Sequence, residues 1–155
     1  MSTYQIDRIE KEETKLVGYS ITESLNHVLE TRIVGILREN LAERKNDIKH
    51  RKAAGIHLIQ IYPCDGQWTF DVPYQHVVAF EVSAYEDIPA DMMTYTLPPG
   101  QFIKIVHRGA ESEIGNTYEY INQTFGERPL DIEYWSDIHS LDQSDSQIDI
   151  LIPAK

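Results

Sequence analysis

The sequence predicts an α+β domain in which a strand-helix-strand-strand unit occurs twice, over about residues 4–84 and 91–153. The two units are expected to form one antiparallel sheet, with the helices on one face and a concave ligand cleft on the other. Three observations predict this. A chain of 155 residues, 41% hydrophobic and 25% charged, has the size and balance of one globular domain with one core. Runs of period two and runs of period 3.6 follow each other in the same order in both halves. Short Gly, Pro and acidic segments punctuate them.

In the first half, Tyr4, Ile6 and Ile9 stand among charged neighbours, Glu10 to Glu13 form a polar turn, and Lys15 to Ile21 is rich in strand formers. Thr22 and Ser24 are both suited to cap a helix. Leu25, Val28, Leu29, Ile33, Ile36, Leu37 and Leu41 then follow at helical spacing, which predicts one long amphipathic helix with its apolar stripe in the core. Gly55 opens a strand over Ile56–Tyr62, Pro63 to Gly66 has turn chemistry, and His76–Val82 reads as the central strand of this half.

The second half repeats the order. Met93–Leu97 is a strand, Pro98-Pro99-Gly100 a turn, and Gln101–His107 a strand. Ile114, Tyr118, Ile121 and Phe125 place a helix over about 113–125, which Gly126 stops. Leu130–Trp135 and Ile148–Ile152 are the closing strands, separated by a polar loop. Two such units fuse their sheets edge to edge around a pseudo-two-fold axis, and the seam is the expected place for a cleft.

Charge and composition exclude several functions. A formal charge of −11 and a pI near 4.9 oppose direct nucleic-acid binding, which needs clustered Lys and Arg. The one basic cluster, Lys49 to Lys52, reads as a solvated helix end or loop. The single cysteine, Cys64, permits no internal disulfide and reads as an ordinary thiol. The six histidines show no metal-ligand spacing, so no metal and no cofactor is expected. His107 reads as structural. No signal peptide and no apolar run of membrane-spanning length is seen, so a cytoplasmic protein without a membrane partner is expected.

Asp87-Ile88-Pro89 with Met92, then Thr96-Leu97-Pro98-Pro99-Gly100-Gln101-Phe102, resembles the gyrase-inhibitor-like family, also called the bacterial transcription activator effector-binding domain family. His107-Arg108-Gly109, Thr117-Tyr118, Ile132-Glu133, Asp149 to Pro153, Val17-Gly18-Tyr19 and Gly55-Ile56 fit the same pattern. The resemblance covers essentially the whole chain. It implies a ligand-binding fold of two strand-helix-strand-strand repeats, found alone or fused to DNA-binding domains, whose members bind amphipathic and often cationic, aromatic compounds. It also implies a binding Glu on the penultimate strand, here Glu133, with an aromatic residue two places on. Here that residue is Trp135 in place of the usual Tyr, which keeps a ring and removes a phenol.

Alternation along that strand puts Asp131, Glu133 and Trp135 on one face. If Ile132 and Tyr134 face the helices, Glu133 and Trp135 point into the concave seam. A carboxylate beside a ring suits an organic cation, whereas taken alone such a Glu is an exposed strand residue. Trp68, Tyr74, Phe102 and Tyr118 complete the candidate ligand-binding set, with Tyr62 and Phe70 as further aromatics, and Trp68 is the candidate for a flexible wall. No catalytic residue is assigned. The expected function is a stand-alone small-molecule binding protein, a monomer or homodimer. Two alternatives are a hydrolase of reactive cyclopropane-type electrophiles using the pocket Glu, and a protein that modulates DNA gyrase or partners a regulator.

Overall fold

Alternating apolar side chains on both sides of most strands demand a sheet that is covered on both faces. The computed structural model describes residues 4–63 and 68–154, and its architecture meets that demand in an uncommon way. Among the described residues, eight strands form one antiparallel sheet: β1 (Gln5–Lys11), β2 (Thr14–Glu23), β3 (Arg51–Ile61), β4 (Tyr74–Val82), β5 (Met93–Leu97), β6 (Gly100–Arg108), β7 (Leu130–Trp135) and β8 (Gln147–Pro153). Helices α1 (Leu25–Thr31), α2 (Ile33–Glu43) and α3 (Ile114–Phe125) complete the two repeats. The strand order is β1-β6-β8-β7-β3-β4-β2-β5, so the two halves meet where β3 pairs β7.

The repeats do more than abut. Each gives its first strand to the other: β1 pairs β6 and β5 pairs β2. Gln5 opposes Val106, Lys11 opposes Gly100, Thr14 opposes Leu97 and Gly18 opposes Met93, so the register runs on unbroken through both pairings. Residues 5–18 and 93–106 are thus one long antiparallel ribbon, bent at Glu12-Glu13 and Pro98-Pro99. The acidic segment and the Pro-Pro-Gly segment are the two strands of this bend, and neither reverses the chain into a hairpin.

That bend curves the sheet strongly, although β1 and β5 remain its unpaired edges among the described residues. β5 and β6 lie six strands apart in the sheet order, about 29 Å if the sheet were flat. The two-residue link between them spans at most about 11 Å. The sheet therefore coils, and its helix-free concave face encloses Leu16, Ile59, Val77, Ala79, Leu97, Phe102, Ile132 and Leu151 as a second core. Gly18 lies on this face opposite Ala79, where an added Cβ would fall 2.0 Å from the Val78 carbonyl oxygen. The outer, helix-bearing face holds the larger core, including Val17, Leu41, Phe80, Ile121, Trp135 and Ile150.

The first helical segment departs from the expected long helix. Arg32, at φ 57°, breaks it into α1 and α2. The cause lies in the periodicity. At 100° per residue, Leu25, Val28 and Leu29 centre roughly 160° away from Val34, Leu37 and Leu41, so one straight helix could not pack both sets. Ser24 caps α1 by accepting from the His27 N–H. None of the α1 residues is buried: Leu29 is 66% exposed, and Ile36, on the same side, is 50% exposed. The expectation that the whole stripe is core therefore holds only for Leu41, which is buried, and Leu37, which packs against the same core. In the second half α3 ends at Gly126, at φ 75°, as its sequence predicts. His107 ties it down: its ring nitrogens lie 2.7 Å from Thr117 Oγ1 and 2.9 Å from the Ala110 carbonyl oxygen. Among the described residues no helix is long and apolar enough to cross a membrane.

Candidate functional site

β7 places Asp131, Glu133 and Trp135 side by side, on the face that carries α3. Tyr118 of α3 donates a 2.6 Å hydrogen bond to Glu133 Oε2. Ile132 and Tyr134 lie on the opposite, concave face, Ile132 within the second core and Tyr134 against His57. The expected orientation of this strand is therefore reversed. Hydrophobicity could not choose, because coiling the sheet buries both of its faces.

Glu133 is 6% exposed and sits next to the β3–β7 seam. Besides Tyr118, it accepts from Trp135 Nε1 at 3.0 Å and Gln60 Nε2 at 3.3 Å. Gln60 in turn donates to Tyr118 Oη at 3.0 Å and accepts from Tyr74 Oη at 3.3 Å. The group is thus a ring of neutral donors from β3, β4, β7 and α3. Among the described residues no Lys, Arg or His pairs with Glu133. Burial pushes its carboxyl up to about 7; the Tyr118 and Trp135 bonds partly oppose this, and the nearby Glu111 and Asp131 charges add to it. Burial and the Glu133 charge likewise push the Tyr118 and Tyr74 phenols upward.

The neighbouring carboxylate is the control. Asp131, 0% exposed, is held by the Arg128 guanidinium through both its oxygens and accepts from Tyr62 Oη at 2.6 Å. Two carboxylates on one strand face are both buried. One has its cation and the other has none.

Aromatic rings extend from this group across the first half. Tyr74 stacks on Tyr62 at 5.1 Å and meets Trp68 edge-on at 5.5 Å, while Trp68 also touches Tyr62 and Phe70. Trp68 Nε1 is buried without a hydrogen-bond partner among the described residues. Cys64 to Gln67, and with them the turn expected after Pro63, lie outside those residues. The Phe70–Asp71 segment is held to α1 by Asn26, through its backbone N–H to the Phe70 carbonyl (3.0 Å) and its side chain to Asp71 (2.6 Å). Phe70 itself is 57% exposed.

Of the residues singled out from sequence, the structure gathers Glu133, Trp135, Tyr118 and Tyr74, with Trp68 behind Tyr74. Phe102 is not brought there: it is buried in the concave core opposite Ile9 and Pro153. Trp135 is 1% exposed, and its ring face is covered by the Arg38 guanidinium at 4.6 Å, which also bonds Glu111 at 2.7 and 3.1 Å. Its indole N–H therefore positions the carboxylate, and Arg38 takes its π face. Sequence reasoning missed Gln60 and Arg38. A polar residue inside Leu58-Ile59-Gln60-Ile61 was a signal for the first; nothing local marks the second.

One antiparallel sheet made of two strand-helix-strand-strand repeats is the fold of effector-binding domains of the gyrase-inhibitor-like class. The chain belongs to the family of integron-associated effector binding proteins, whose model matches residues 8–154. Its fold is similar to that of SAV2435, solved bound to tetraphenylphosphonium (18% identity, 99% of this chain and 94% of that one, TM-score 0.71). It is also similar to the C-terminal domain of EcmrR (13%, 99% of each chain, 0.71). A third similar structure is the integron cassette protein VCH_CASS2 from the Vibrio cholerae mobile metagenome (10%, 98% and 97%, 0.68). No curated protein matches the sequence.

Proposed function

We propose that the chain binds small amphipathic organic cations, with Glu133 as the counter-charge and Tyr118, Tyr74 and Trp68 as apolar walls. The observation that carries this is the contrast on β7: Asp131 has Arg128, whereas Glu133 has three neutral donors and no cation. An ionised carboxylate in that setting costs several kcal/mol, and a bound cation offsets the cost. Rings beside it add attraction for a delocalised positive charge. The complex of SAV2435 with a lipophilic cation supports the same chemistry in a similar fold. Entry is proposed past α1 and the Trp68–Asp71 segment, since α1 buries nothing and Phe70 is exposed.

Titration with tetraphenylphosphonium and rhodamine-type cations tests this. Saturable binding is expected, weakened at least about tenfold by Glu133→Gln, as for loss of one desolvated charge partner. Affinity should rise with pH through about 7, because binding needs the ionised carboxylate. Binding that is insensitive to both changes would remove Glu133 from the mechanism. Incubating the same protein with cyclopropane-type electrophiles checks the alternative, in which Glu133 poised near neutrality acts as a general base.

A further inference from the structure

The concave core is not sealed everywhere. Toward its Lys11 end it opens as a hollow of about 270 Å³. Ile9, Ile132 and Leu151 form the apolar floor, and His57 and Tyr134 form a wall. Since Ile132 and Tyr134 alternate with Glu133 along β7, the hollow lies across the sheet from the Glu133 group and shares no side chain with it.

His57 is the unexplained residue. It is 5% exposed, and its Nδ1 is shut off from water with no partner among the described residues. Burial, reinforced by the Lys11 charge, holds the ring neutral, with its titration near 3. It packs against Tyr134 at 4.9 Å between ring centres. Tyr134 is itself fixed by Gly55, where an added Cβ would lie 2.4 Å from its ring. An apolar residue would fill the His57 position at lower cost, since a buried imidazole without a partner is penalised.

The rim carries Lys11 and Lys104 beside Glu81 and Asp149, and of its two cations one is unpaired among the described residues. Lys104 pairs with Asp149 at 3.8 Å and stands across the β1–β6 ladder from Asp7. Glu81 pairs with Lys52 at 3.6 Å. Lys11, also on the rim, makes no ion pair among the described residues. The chain's overall acidity does not cancel this, because exposed charges beyond about 10 Å are screened at moderate salt.

We infer that the hollow is a second binding site, one that takes a small monocarboxylate with a flat apolar body. The carboxylate meets Lys11, the neutral His57 imidazole supplies a hydrogen bond, and the body lies on Ile9, Ile132 and Leu151. The size sits below the usual range for ligand pockets, roughly 300–1,000 Å³, which selects a single-ring acid and excludes a bulky multi-ring cation.

Benzoate titrated into protein labelled with ¹⁵N at histidine, followed through the imidazole resonances, tests the site. A saturable shift of the His57 signals is expected. Lys11→Gln should weaken it about fivefold, the loss of one partly screened charge pair. Benzamide, which has the ring without the charge, should bind more weakly than benzoate, and Glu133→Gln should leave benzoate binding unchanged. The inference is overturned by an absence of saturable shift, by equal affinities in Lys11→Gln and the parent, or by equal binding of benzamide and benzoate. Loss of benzoate binding in Glu133→Gln would overturn it as well. Lys11 is the half-buried last residue of edge strand β1 and makes no ion pair or side-chain hydrogen bond among the described residues, so its replacement leaves the fold intact.

Discussion

At the scale of single residues, the burial of Glu133 couples stability to pH. Its folded-state titration, near 7, lies above the ordinary carboxylate value of 4.5 that the unfolded chain would show. Below 4.5 both states are protonated and the residue costs nothing. As pH rises from 4.5 to 7 the unfolded chain ionises first, so folding loses stability; above 7 the loss is complete. Its size is on the order of 3 kcal/mol. Glu133→Gln keeps the shape and the neutral donors, so the variant should gain on the parent by that order as pH is raised from 4 to 8. Urea unfolding of both proteins at several pH values checks it; a constant difference across the range would contradict the burial argument. The candidate carboxylate was legible through the family resemblance, and β alternation then set Trp135 and Asp131 on the same face. Which of the two acids lacks a cation was not legible: Arg128 stands only three residues before Asp131, but no spacing says which carboxylate of the strand it turns to, and Arg38 is held by Glu111, which only tertiary packing brings to it.

At the scale of elements, the helical segment separates what packs from what merely repeats. Leu29 of α1 is exposed, while Ile121 of α3 is fully buried. Leu29→Ala should therefore change stability by less than about 0.5 kcal/mol, and Ile121→Ala should cost about 2–5 kcal/mol. Chemical denaturation distinguishes them, and similar losses at both sites would mean that α1 packs on the core. The strands were read to within a few residues from sequence, since period two and turn chemistry are local properties. The break at Arg32 was not, although its cause is present in the spacing: the apolar residues on its two sides point in different directions on one helix.

At the scale of the whole molecule, the exchange of β1 and β5 makes each half incomplete without the other. The two halves should thus unfold as one unit. Trp68 lies in the first repeat and Trp135 in the second, so each can report on its own half. In Trp68→Phe and in Trp135→Phe, the remaining tryptophan's fluorescence and the far-UV circular dichroism should give one coincident urea transition. Separate midpoints in either variant would show that the halves are autonomous.

The amino-acid pattern alone determined the doubled α+β plan, the strand positions and the stop at Gly126, because these follow from local periodicity and side-chain chemistry; the choice of Glu133 came from the resemblance to the gyrase-inhibitor-like family. Tertiary structure decided the rest. The unbroken ribbon through Glu12-Glu13 and Pro98-Pro99 makes the sheet coil, and a second core fills part of its concave face. Coiling moved Phe102 into that core, turned Glu133 toward α3, and left an opening beside His57 and Lys11. Long-range register sets these outcomes, and no short window of sequence carries it.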